Sequence, residues 1–102
     1  MTLAKSPPVR SRAYLAHVRS LPCAWCQAAP PSEASHHPRR GGGSVGAKCC
    51  DLRTIALCHD DHRSMHQTGK LGLMDGDQTR QWAEGAIVDT LRQWVRERVG
   101  SK

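Results

Sequence analysis

Residues 53–69 read RTIALCHDDHRSMHQTG, and the character of this stretch changes at a single residue. Up to Leu57 it is β-branched and apolar, which predicts a short strand over Arg53–Leu57. From His59 it is polar and rich in imidazole and charge until Gly69, which predicts a short helix with a glycine stop. Cys58 stands at the junction, with Asp61 three residues and His62 four residues further on. A helix turns about 100° per residue, so positions three and four apart share a face. Cys58 can therefore act with either Asp61 or His62. His62 and His66 are four apart and stack on one face, the spacing with which two imidazoles reach one metal ion.

Upstream, CAWC places Cys23 and Cys26 in a C-x2-C pair, the spacing that lets two thiolates on one tight turn reach the same tetrahedral ion. Three cysteines and one further ligand would tie the first part of the chain to the second. A staple of this kind is what the composition requires. The chain has 102 residues, 38% of them hydrophobic, with no Phe, one Tyr and three Trp. A domain of that length buries only about 60–65% of its surface, and a core this poor needs disulfides or a metal beside it. Five Cys and six His are available. The odd number of Cys and the missing N-terminal apolar run argue against a secreted disulfide framework. No stretch approaches the roughly 18 apolar residues of a membrane span. The expectation is a cytoplasmic protein with a structural zinc and no membrane partner.

The remaining elements follow from periodicity and punctuation. Residues 1–10 hold two prolines and little to bury, and read as a flexible arm before a single domain over 11–100. Tyr14, Leu15, Val18 and Leu21 fall at helical spacing behind Ser11 as N-cap, with Pro22 closing a short helix. Glu33–His37 is a short strand ending at Pro38. The last element is a long helix from about residue 77 to 99, capped by Asp77 or Asp75, with Ala83, Ile87, Leu91, Trp94 and Val95 on one face. The expected class is α+β: a small core over about 23–69, flanked by a short N-terminal helix and a long C-terminal one.

The net charge is +6, and it is unevenly placed. Residues 1–53 hold eight basic and two acidic side chains, while 54–102 hold seven of each. Arg39, Arg40 and Lys48 bracket a glycine-rich loop, and with Arg63 they suit phosphate contacts. A merely soluble basic protein is the alternative on charge alone. His36 and His37 are adjacent at a strand end, so their side chains point to opposite sides.

Taken in order, C-x2-C, HH, the loop HHPRRGGGSVGAK, the strand end IALC and the helix HRSMH resemble the zinc-containing HNH (ββα-metal) endonucleases. The likeness is strongest to a small phage and prophage group of recombination-enhancement nucleases, and it covers about residues 10–70. The HH and H-x3-H spacing is also similar to that of colicin nuclease domains. The resemblance implies a ββα-metal core and hydrolysis of DNA phosphodiester bonds. It implies His37 as the general base, and His36, His62 and His66 as ligands of a second divalent ion (Mg2+, Mn2+ or Zn2+). It assigns Cys23, Cys26 and Cys58 to the structural zinc.

Two positions depart from that pattern. The fourth zinc ligand is usually Cys or His; here Asp61 stands in its place, and His62 competes for the role. The middle position of the motif is usually Asn, whose side chain orients the base; here it is Arg53, which suits a phosphate contact better than catalysis. Asp51, two residues earlier, reads either as a positioning residue across the loop or as a plain turn residue. Cys49 and Cys50 have no spacing that recruits both to one ion. These departures keep a second expectation open, a non-catalytic zinc module that binds nucleic acid or protein. A third is a subunit that docks the apolar face of its C-terminal helix on a second copy or on a phage recombination or packaging partner.

Overall fold

The computed structural model describes residues 9–37 and 50–99. Expectations for the arm before Val9, and for the loop with Arg39, Arg40, Lys48 and Cys49, lie outside the described residues.

Helix α1 (Arg12–Arg19) starts where the sequence supplies a cap: Ser11 is extended, and its hydroxyl accepts the Tyr14 N–H at 3.1 Å. It buries Tyr14 and Val18, one turn apart. Strands β1 (Glu33–His36) and β2 (Thr54–Leu57) pair antiparallel, with Glu33 opposite Leu57 and His36 opposite Thr54. Helix α2 (His59–Thr68) ends on Gly69, which takes the left-handed conformation at φ 71°. Helix α3 (Gly76–Val99) settles which aspartate caps it. Asp75 Oδ1 accepts the Gln78 N–H at 2.8 Å, and Gln78 Oε1 accepts the Asp75 N–H at 2.9 Å, a reciprocal capping box. Asp77 lies inside the first turn.

All four residues of β2 are buried, because the strand is covered on both faces. Ile55 and Leu57 point to one side and pack with Cys23, Ala83 and Ile87. Ala56 points to the other and packs with Tyr14 and Val18 of α1. The two helices thus share a single central strand, and the result is a small α+β unit with a two-stranded sheet and three helices among the described residues. None of these helices is long and apolar enough to cross a membrane.

The packed face of α3 differs from the expected one. Thr79, Ala83, Ile87 and Thr90 are its buried residues, and Leu91 and Trp94 pack partly against the α1 side. Val95 is 53% exposed, since it sits about 100° round the helix from Trp94. The buried threonines turn their hydroxyls back onto the helix, to Asp75 O at 2.8 Å and Ala86 O at 2.7 Å. Trp82 meets Trp25 edge-on at 5.3 Å.

Trp25 also closes over Gly72 in the connector between α2 and α3. Gly72 has φ 56°, and a Cβ there would lie 2.7 Å from Trp25 Cζ2. Both the backbone and the space thus require glycine. Gly72→Ala is expected to cost about 2–3 kcal/mol through left-handed strain and overpacking. The check is a urea midpoint shifted downward at constant slope; an unmoved midpoint would show that the contact is dispensable.

Candidate metal centre and histidine cleft

The C-x2-C turn is built by its own backbone. Gln27 N–H donates to Cys23 O at 3.0 Å, Cys23 N–H donates to Ala28 O at 2.9 Å, and Gln27 takes φ 65°. Ala24 N–H donates to Ala56 O at 2.8 Å, which fixes the turn to β2. Cys58 is the N-cap of α2 but makes no side-chain capping bond. Its sulfur lies 3.7 Å from Cys26 Sγ. Asp61, in the first turn of α2, receives Cys23 Sγ at 3.2 Å and Cys58 Sγ at 3.3 Å on one carboxylate oxygen, Oδ2.

One ligand atom from each of Cys23, Cys26, Cys58 and Asp61 lies within 4.8 Å of all the others. Around a tetrahedral ion with metal–sulfur bonds of about 2.3 Å, sulfur atoms stand about 3.8 Å apart, so the Cys26–Cys58 separation matches. Three sulfurs and a carboxylate oxygen suit a metal such as zinc. The Cys26 N–H also donates to Cys23 Sγ at 3.4 Å, which favours the thiolate a metal requires. Without a cation the anions compete for protons. The backbone of Ala28 favours the Cys26 thiolate, yet hydrogen bonding to Asp61 and Cys23 leaves this thiol pushed up to about 12. Cys58 is raised as well: the Asp61 backbone favours its thiolate, but burial and the Asp61 carboxylate outweigh it.

Of the two residues that compete for the fourth position, Asp61 is the one in the group. His62 turns away, its Nδ1 2.7 Å from Glu33 Oε1 on β1, and the other Glu33 oxygen lies 3.1 Å from His59 Nδ1. His62 first and His59 second hold the Glu33 carboxyl below its usual range. The His62 and His66 rings are 5.0 Å apart, centroid to centroid.

The histidine pair divides as strand alternation requires. His37 shares a side with Ser35, and its Nε2 is 2.9 Å from the Ser35 hydroxyl. His36 points the other way, to Asp51 Oδ1 at 3.0 Å. Asp51 is buried and accepts two further donors, Ser11 N–H at 2.9 Å and the Arg10 guanidinium at 3.1 Å. His36, then Ser11, hold its carboxyl below the usual range. Asp51 thus positions His36 and also anchors the chain leading into α1, where Asp51 N–H donates to Val9 O at 2.9 Å. The end of the expected flexible arm is therefore tied down from Val9 onward.

Ser35, His36, His37, Met65 and His66 line one cleft of about 180 Å³. His37 and Met65 also border a second of about 170 Å³, closed by Arg80 and Glu84 of α3. His36, His62 and His66 do not converge as the cysteine group does; that group is the metal-ligand cluster found among the described residues. Arg63 is exposed on α2. Glu33 and Ser35 were not singled out from the sequence, though the two-residue period of a strand places both on the side of His37.

Burial first, and then the neighbouring His62 and Arg53 side chains, lower His37 to about 4. Above its unfolded value near 6.5 the imidazole is neutral in both states, and no stability is lost. As the pH falls from 6.5 toward 4, only the unfolded chain takes up the proton, so stability declines by up to about 3 kcal/mol. The Tm difference between wild type and His37→Gln, followed from pH 7 to 5, is expected to shift in favour of the variant as the pH drops. Parallel curves would place the acid sensitivity elsewhere.

A family model described as a protein of unknown function, DUF968, matches residues 1–82. That span takes in the cysteine–aspartate group, His36, His37, His62 and His66, Glu33, Asp51 and Arg53, and stops before Glu84. No curated protein and no solved structure matches the chain. With four-fifths of its length under that one model, the chain belongs to the DUF968 family.

Proposed function

We propose that this protein is a metal-dependent DNA endonuclease of the HNH (ββα-metal) type, its core stapled by zinc at Cys23, Cys26, Cys58 and Asp61. The observation that carries the reading is the shared cleft: His37, a neutral imidazole at the end of β1, faces His66 and Met65 across it. Burial keeps His37 unprotonated at neutral pH, the state a base requires, while the same burial makes it a weaker base than a free imidazole. In the tautomer this role requires, Nε2–H donates to the Ser35 hydroxyl oxygen at 2.9 Å, and Nδ1 accepts a proton from water attacking phosphorus. Arg63, with the loop residues Arg39, Arg40 and Lys48, supplies positive charge for the DNA backbone. A divalent ion would add charge stabilisation at the scissile phosphate. The imidazoles of His36, His62 and His66 do not converge on one point, since His36 and His62 are turned to carboxylates.

A different observation favours a second reading, a zinc module that binds nucleic acid without cutting it. His36 and His62 are engaged by carboxylates, at 3.0 Å and 2.7 Å, rather than turned to a common centre. Incubating the zinc-loaded protein with supercoiled plasmid and added Mg2+, Mn2+ or Zn2+ separates the two. Nicking by any of these ions supports the nuclease. Retention of plasmid without nicking supports the binding module.

A further inference from the structure

His37 is the first residue past the end of β1, and the strand register places it opposite Arg53. That one residue holds both of its peptide groups. The His37 N–H donates to Arg53 O at 2.9 Å, and the His37 carbonyl accepts Arg53 Nε at 2.8 Å. The same guanidinium is ion-paired with Glu84 of α3, and the Arg53 side chain is only 19% exposed. An exposed ion pair on its own contributes little. This one differs because a guanidinium is a rigid plane, so fixing one of its edges on Glu84 fixes the direction in which Nε points. Glu84 also borders the cleft beside His37, so the carboxylate is joined through the guanidinium to the His37 main chain at the edge of that cleft.

We propose that Glu84, acting through Arg53, is a positioning residue for His37, so that α3 is part of the catalytic apparatus and not only a cover for β2. The proposal rests on the endonuclease reading for its rate consequences. Its structural content stands independently. Arg53 works here as a planar fork between two acceptors, not as a phosphate contact, and a lysine ammonium cannot replace it.

The test compares wild type, Glu84→Ala and Arg53→Lys, each loaded with zinc. In the nicking assay both variants are expected to lose about tenfold to a hundredfold in kcat, with KM for plasmid unchanged. A raised KM at unchanged kcat, or full activity in Arg53→Lys, would overturn the proposal, because charge alone would then suffice. Side-chain NMR couplings give a readout that needs no activity. His37 is expected to hold one χ1 rotamer in wild type and to average among several in both variants, at unchanged metal content. A single rotamer retained throughout would overturn the proposal. If wild type nicks with none of the ions, the endonuclease reading falls and the rotamer measurement alone decides the positioning role. If Arg53→Lys does not fold, Glu84→Ala carries the test, since its side chain is 48% exposed and its loss leaves no buried gap.

Discussion

Asp61→Ala is expected to release the metal and unfold the domain, while His62→Ala keeps both metal and fold. The two residues are chain neighbours on the first turns of α2, so a general weakening of the helix would affect them alike. They differ in what they touch: Asp61 holds two of the three thiols at 3.2 and 3.3 Å, and His62 holds Glu33. Structural zinc contributes about 10–16 kcal/mol in small domains. The net stability of a domain this size is only about 5–15 kcal/mol. Losing a ligand therefore removes most of what keeps the chain folded, and its scanty core cannot compensate. Metal content by mass spectrometry and helicity by circular dichroism check this directly. Zinc retained at one equivalent in Asp61→Ala, or lost in His62→Ala, would reverse the assignment.

His37→Ala is expected to lower nicking by about a hundredfold to ten-thousandfold, the usual contribution of a general base, with zinc and fold intact. Its ring lies away from the thiols, and its main-chain hydrogen bonds to Arg53 do not depend on the side chain's identity. His36→Ala supplies the contrast. It leaves Asp51 with the Ser11 and Arg10 donors, so it is expected to retain the fold and to lose activity to a smaller degree. Equal nicking by wild type and His37→Ala would remove this residue from the chemistry even if the activity itself is real.

The elements of the fold were legible because each carries a local signal. Ser11 and Gly69 mark helix ends through side-chain and backbone conformations that depend on few neighbours. The change from apolar to polar at Cys58 marked the strand–helix junction. Asp61 and His62 were harder, since both lie on the helical face of Cys58 and periodicity does not rank them. The decision came from Glu33, some thirty residues away, which draws His62 toward β1. The Arg53–Glu84 contact had no signal of its own, because it depends on how α3 lies against the end of β2. Val95 was misplaced for a related reason: a helical stripe says which side is apolar, not how much of its width a two-stranded sheet can cover.

The meeting of three chain segments at Asp51 sets a lower limit on how far the protein can be trimmed. A fragment cut back to the Cys23–Gly69 unit would keep every proposed ligand and the base. It would forfeit the Ser11 and Arg10 donors that leave His36 a fully satisfied carboxylate partner, and with them the α1 cover over Ala56. It would also lack Glu84. On the endonuclease reading, the smallest piece expected to nick DNA is thus close to the whole of Val9–Val99, with both outer helices kept.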